Sequence, residues 1–332
     1  MRKVFTLALA STMLFSLAGC SSTPAESSNE ETKKETTKEG DDVIIGYATK
    51  SSSSPFWVEN IKGAEQAAEE LGIKLNILGP PVENDVAGQI SVIEDMIASG
   101  SDALCIAPCG SVGVADVVSK AMDQGIPVVA VGDPIDGVDV TSDVSTDNYQ
   151  AGRMGGEYIG EAIGGKGTVI ITNGIIAQGG GKGRRDGFVD YMSETYGDAV
   201  KVVEVTGDWD DQKALSGFEA ALAANPDVIG GYAAWDGAAL VMYDVLQQNN
   251  RDDVTLCGFD CYDRALQLMK DDDPMFKADI AQNPTNMGYT AVMTAYNALM
   301  GEDYEDVVDT GTTLVTKENV EDYAKTMGVT LK

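Results

Sequence analysis

Two successive runs of alternating strand-like and helix-like segments, laid out in the same order, constrain this chain more than any other feature. The first run reads as strands over 43–48, 73–78, 103–107 and 127–131, with helices over 55–71, 86–98 and 112–124. Along 55–71 the residues Trp57, Ile61, Ala64, Ala68 and Leu71 recur at spacings of four and three, which makes one apolar helix face. Gly72, Gly100 and Gly125 each follow a helix, where a left-handed C-cap is wanted. The second run repeats the plan, with strands over 167–172, 200–206, 228–232 and 254–258 and helices over 182–194, 210–224 and 237–248. Landmarks match between the copies: Gln89 and Gln212 fall in the second helix, and Asp133 and Asp260 lie just past the fourth strand. Strand–helix alternation builds a parallel sheet covered on both faces. A repeat this long predicts an α/β protein of two Rossmann-like lobes, each with its own core.

Three segments cross between the copies: a strand leading into Thr146-Asp147-Asn148 and a helix, a strand over 276–281 leading into Gln282-Asn283-Pro284 and a helix over 286–300, and the stretch before a strand over 312–315. They predict a three-segment hinge joining an N-terminal lobe (43–146 plus 283–311) to a C-terminal lobe (147–282 plus 312–332). A last helix is expected over 318–327.

Ahead of the first strand stand a basic start (Arg2, Lys3), an apolar run over 4–17 and Leu17-Ala18-Gly19-Cys20. This is the layout of a signal peptide, and its ending resembles a bacterial lipobox, which implies cleavage after residue 19 and lipid on Cys20. The apolar run is too short for a permanent span. Two acyl chains would anchor the chain at the outer face of the cytoplasmic membrane. Residues 21–42 hold almost nothing that could enter a core and read as a disordered, charged tether.

Composition removes several function classes. A net charge of −30 argues against a nucleic-acid partner. The absence of histidine removes Ser-His-Asp and Cys-His nucleophiles and the commonest general base. Besides Cys20, the cysteines form two pairs, Cys105/Cys109 and Cys257/Cys261, whose first members sit inside apolar strands. Buried free thiols fit that setting better than a zinc site, and a disulfide within either pair stays open. No metal, cofactor or catalytic residue is expected.

Ligands of open parallel sheets bind beyond the carboxyl ends of the strands. Those positions hold Lys50, Ser54, Phe56 and Trp57 after the first strand, Cys109 after the third and Asp133 after the fourth. The second copy supplies Asn173, Gln178 and Arg184, then Trp209, Trp235 and Asp260, and the crossing adds Gln282. All three tryptophans are in this set. Aromatic faces beside Asp, Arg, Gln and Lys suit a sugar, whose C–H face stacks on rings and whose hydroxyls bond bidentate groups. Plainer readings stand beside this one: Trp57 as core, Asp133 as a turn residue before Pro134, and one of Arg184 and Arg185 as a solvated cation. The run Gly-Gly-Gly-Lys-Gly-Arg-Arg has no Ser or Thr after its lysine and is no phosphate loop.

The same residues carry a family resemblance. Lys50-Ser-Ser-Ser-Ser-Pro-Phe-Trp57 with Gly63 and Ala64, Ser145-Thr-Asp-Asn148, Arg184-Arg-Asp-Gly187, Gly207-Asp-Trp-Asp210, Gly258-Phe-Asp260 and Ala281-Gln-Asn-Pro284 together resemble the ribose/allose group of periplasmic sugar-binding proteins, from residue 43 to about 315. The resemblance implies the type I periplasmic binding fold and a non-enzymatic substrate-binding subunit of an ATP-driven (ABC) importer, a monomer that meets a membrane permease. It further implies that Phe56, Trp57 and Trp209 sandwich the sugar, that Asp133, Arg184, Asp260 and Gln282 bond its hydroxyls, and that Lys50 matches the allose-like subgroup. The chain departs from the pattern at Ser54, Pro134 and Trp235, where the group has Asn, Arg and Asn. Trading an amide for an indole at 235 narrows the site, which leaves the particular monosaccharide or polyol, or a non-sugar ligand, open. Two rival functions are a sensor of the same fold feeding a chemotaxis or signalling partner, and a glycosidase working through Asp133 and Asp260; the setting of those two acids reads as grip rather than catalysis.

Overall fold

The computed structural model describes residues 42–80, 83 and 85–332. The signal and lipidation readings, and the tether reading over 21–42 apart from Asp42, lie outside the described residues.

The first sheet comprises β1 (Ile44–Ala48), β2 (Lys74–Leu78), β3 (Ala103–Ile106), β4 (Val128–Val131), β5 (Ser142–Ser145) and β11 (Val307–Asp309), ordered β11-β5-β4-β3-β1-β2 and parallel throughout. The second comprises β6 (Gly167–Asn173), β7 (Val200–Thr206), β8 (Val228–Ala233), β9 (Thr255–Phe259), β10 (Phe276–Ala281) and β12 (Thr313–Thr316), ordered β12-β10-β9-β8-β6-β7. Strand for strand the orders coincide, so the repeat read from sequence is a repeat of topology. One edge departs from it: β12 runs antiparallel to β10.

Both sheets are buried on two faces because their strands alternate between two cores. In β3, Ala103 and Cys105 face a cluster with Tyr47, Ala64 and Ala291, while Leu104 and Ile106 face one with Ile93, Met96 and Val118. The first cluster lies under α1 (Pro55–Leu71) and α9 (Pro284–Met300), the second under α2 (Val86–Ala98) and α3 (Ala115–Asp123). The second sheet has α4 (Asn148–Ala162) and α5 (Gly179–Tyr196) on one face and α6 (Asp211–Ala224), α7 (Asp236–Gln248) and α8 (Asp263–Lys270) on the other. Gly72 caps α1 at φ 64°, as its place in the sequence requires.

The α1/α9 crossing is close enough to exclude any side chain. A Cβ on Gly63 would collide with the Thr285 carbonyl, and one on Gly288 with that of Asn60. Backbone cannot yield as a side-chain tip can, so Gly63→Ala should destabilise the fold by about 1–3 kcal/mol. Urea unfolding checks this; a midpoint within error of the parent's would refute it.

Several boundaries move for identifiable reasons. The third helix starts at Ala115 rather than 112, because Gly110 and Gly113 close a turn ahead of it. The fifth starts at Gly179 rather than 182: the glycine run forms its first turn, where Cβ atoms would strike Pro134 and Asp133 of the facing lobe. Two short elements fall outside the reading: α8, whose buried face of Ala265, Leu266 and Met269 spans only two turns, and the three-residue, mostly exposed β11.

Candidate ligand-binding cleft

In the strand order 2-1-3-4-5 the side on which successive strands are added switches between β1 and β3, and again between β6 and β8, which opens a crevice at the carboxyl ends there. The two crevices face one another across a cavity of about 470 Å³, within the range usual for small-molecule sites. Lys50, Ser54, Phe56, Trp57, Asp133, Arg184, Trp209, Trp235, Asp260 and Gln282 all line it.

The first lobe contributes a buried ion pair and an aromatic wall. Lys50 follows β1, Asp133 follows β4, and the lysine Nζ donates to Asp133 Oδ2. Asp133 Oδ1 accepts from the backbone N–H of Gly180, at the start of α5 in the other lobe. Phe56 and Trp57 stand edge to face at 5.0 Å. Trp57 packs in the core with α1 and also borders the cavity.

The second lobe supplies the counterparts. Arg184 is buried: Nε donates to Asn148 Oδ1 at 2.9 Å, Nη1 to the Ala234 carbonyl at 2.7 Å, and the guanidinium lies 3.7 Å from the Phe259 ring centroid. Arg185 is the solvated member of the pair, bonded to Glu204 on the surface. Trp209 and Trp235 meet edge to face at 5.4 Å. Trp209 sits in a turn where it and Asp208 adopt φ of 58° and 53°, with its ring against Gly174. Every indole N–H donates to protein: Trp209 to Gln178 Oε1 (2.8 Å), Trp235 to Asp211 Oδ1 (3.1 Å) and Trp57 to Glu83 Oε1 (3.4 Å). The rings therefore offer faces and edges to a ligand rather than donors.

Asp260 lies on the cleft floor at φ 104°, its Oδ1 accepting from Gln282 Nε2 at 2.7 Å. Burial pushes its carboxyl up to about 6, against the opposing pull of Arg184 and Gln282.

Gln178 belongs to the strand-end set, but its role emerges only in three dimensions. Its Nε2 donates to the Cys109 carbonyl of the first lobe at 2.9 Å, while its Oε1 accepts from Trp209. With Gly180–Asp133 it ties the lobes directly. Glu83 escaped the sequence reading. It borders the cavity after β2, beside Lys50 and Trp57, and burial raises its carboxyl. By the internal repeat this loop is the counterpart of the one bearing Trp209, and that is the signal which would have found it. Gln89 and Gln212 stand in equivalent helices, α2 and α6, but in different settings. Gln89 is buried and braces the loop after β3 through the Ala107 carbonyl and the Cys109 N–H, whereas Gln212 is exposed.

Two of the three hinge crossings are bonded to one another. The Thr310 N–H reaches the Ser145 carbonyl at 2.9 Å, and the Asp147 N–H reaches Asp309 Oδ1 at 3.3 Å. The four described cysteines are free and buried. Among the described residues no group of three acidic, Cys or His side chains is placed to hold a metal ion, and no helix is long and apolar enough to cross a membrane.

Two parallel-sheet lobes of identical strand order, closed by a bonded hinge on an aromatic and charged cavity, define a bilobal solute receptor. A sequence profile described as "Periplasmic binding protein domain" matches residues 45–303, and the chain belongs to that family. It is 29% identical to the ribose import binding protein RbsB of Bacillus subtilis, over 92% of this chain and 96% of that protein. It is 30% identical to the D-allose-binding periplasmic protein of Escherichia coli, over 75% of this chain and 82% of that one. An ABC transporter periplasmic solute-binding protein from Actinobacillus succinogenes, solved with D-allose, superposes with a TM-score of 0.78 at 26% identity, covering 85% of this chain and all of that one. The chain is thus of the ribose/allose type, as its motifs imply, and such proteins are solute-binding proteins, not enzymes.

Proposed function

We propose that the protein is the substrate-binding lipoprotein of an ABC-type importer and clasps a neutral monosaccharide or related polyol between its lobes (43–146 plus 283–311, and 147–282 plus 312–332). The observation that carries this reading is the convergence of the ten strand-end residues on one inter-lobe cavity. Phe56, Trp57 and Trp209 give ring surface for the C–H face of a sugar. Arg184 Nη2, Asp260 Oδ2 and Gln282 give hydroxyl partners. Lys50–Asp133 forms the polar floor of the first lobe. The named ligands and import roles of the relatives support the same chemistry. Ligand touching both lobes favours their closed arrangement by its differential affinity, and that arrangement is the one a permease reads. Cys20 carries the lipid that holds this monomer at the outer face of the cytoplasmic membrane.

The test is a tryptophan-fluorescence titration of the soluble chain with pentoses, hexoses, deoxy sugars and polyols, confirmed by calorimetry. Saturation by one of them is expected. Silence from all in both measurements would overturn the sugar reading.

Affinity should also depend on pH through Asp260. The ionised carboxylate accepts sugar hydroxyls more strongly than the protonated acid does, so binding should weaken as pH falls through about 6, by up to about tenfold at pH 5 relative to pH 7.5. The linked stability runs the other way. A carboxyl raised in the fold contributes stability that is full below its unfolded value near 4 and is lost as pH rises through about 6. Asp260→Asn should flatten the affinity profile and remove from the stability profile only the share of Asp260, since Glu83, Asp236 and Asp279 are raised as well; an unchanged affinity profile would remove Asp260 from the site.

A further inference from the structure

Beneath Asp260 lies a second pair of acids that the ligand cannot reach. Asp236, the first residue of α7, and Asp279, in β10, are both fully buried. Their side chains converge above Gly258. A Cβ there would run into Asp236 Oδ1 and lie 3.0 Å from Asp279 Oδ2.

Together the two carboxyls hold the backbone of the loop that presents Asp260. Asp236 Oδ1 accepts from the Phe259 N–H at 3.2 Å and Oδ2 from the Tyr262 N–H at 2.5 Å, while Asp279 Oδ1 accepts from the Cys261 N–H at 3.3 Å. Between these anchors Asp260 and Cys261 adopt φ of 104° and 58°, conformations that surrounding structure must impose.

We propose that Asp236 and Asp279 share a single proton and act as positioning residues, clamping the strained 259–262 loop so that Asp260 is held toward the cleft. Two ionised carboxylates whose oxygens crowd the same Cβ position in a dry interior repel strongly, so one must be an acid. Asp236 accepts two backbone N–H groups and lies at a helix N-terminus, where negative charge is favoured. Asp279 Oδ2 has no donor from elsewhere in the protein. The proton therefore belongs on Asp279 Oδ2, donated to Asp236.

The titratable groups facing the pair are Cys257 on β9, Asp260, Cys261 and Tyr262 on the loop, Tyr232 on β8 and Tyr323 on α10 (Val320–Thr326). All are acids, neutral or anionic near neutrality. They and the burial of the site hold both carboxyls above their usual range, which keeps the proton in place. The clamp itself is independent of the ligand; its service to binding rests on the sugar-clasping reading above.

The test needs no ligand, so its failure is distinguishable from failure of that reading. At pH 8 the infrared spectrum of the wild-type protein should show the C=O band of a protonated carboxylic acid, and Asp279→Asn should abolish it. Hydrogen exchange should find the Phe259, Cys261 and Tyr262 amides protected in the wild type and in Asp279→Asn, whose neutral amide still donates to Asp236. In Asp279→Ala that protection should be lost selectively, because Asp236 then holds an uncompensated charge. A missing band, a band that survives in Asp279→Asn, or loss of amide protection in Asp279→Asn equal to that in the alanine variant would overturn the proposal. If the alanine variant does not fold, the infrared comparison and the asparagine exchange data decide it alone.

Discussion

Lys50→Met will destabilise the closed arrangement of the lobes by about 3–5 kcal/mol, the cost of breaking a buried ion pair from one side. The side chains of Lys50 and Asp133 are only 3% and 5% exposed, so water does not compensate either charge in the closed form. Without the lysine, Asp133 keeps one donor from the facing lobe, the Gly180 N–H, and recovers its hydration only if the cleft opens. Methionine replaces most of the lysine stem, which separates loss of charge from loss of packing. Small-angle scattering should report an expanded particle, and the melting temperature should fall. The double variant Lys50→Met/Asp133→Leu should regain much of the stability, since an apolar pair leaves no orphaned charge. A compact, unshifted Lys50→Met protein would show that the pair does not hold the lobes.

Arg184→Ala should be as costly and should act on two levels. The Asn148 side chain and the Ala234 carbonyl both lose their donor, and Phe259 loses the cation over its face. Truncating a buried, hydrogen-bonded charge costs about 2–5 kcal/mol, and the cation–π contact belongs within that sum. Ligand binding should fall by at least about 100-fold, which corresponds to roughly 2.8 kcal/mol. Arg184→Lys should not rescue it, because an ammonium cannot span two acceptors in the planar geometry of the guanidinium. Thermal melts with calorimetric titration of the sugar found by fluorescence check both levels. A lysine variant with parental affinity would mean that charge alone suffices at this position.

The variants differ in how visible their sites were beforehand. Arg184, Trp209, Asp260 and the other strand-end residues could be named from sequence because topology does the selecting. Once the alternation of strand and helix is recognised, the carboxyl ends of the strands are known, and polar or aromatic residues there have few other reasons to cluster. Glu83 was hidden because its loop, which opens Gly79-Pro80-Pro81, reads as a plain turn and has no aromatic residue of the kind that marked Trp209 in the equivalent loop. Gln178 stood in the right loop, yet nothing local says that its amide spans the cleft. The Asp236–Asp279 pair was invisible for a similar reason. Its members lie far apart in sequence, on a helix start and a strand, and nothing local says that they meet.

The sequence by itself determined the repeat, the fold class and the membership of the cleft wall, because these rest on periodicity, capping and strand order, which are local or topological. Tertiary structure alone decided who is bonded to whom: that Asp133 pairs with Lys50 and reaches α5, that the indole N–H groups face inward to protein, and that two aspartates meet over Gly258. Those facts depend on sub-ångström approach between segments distant in the chain, and the energy of a buried charge or hydrogen bond changes by kilocalories over that distance.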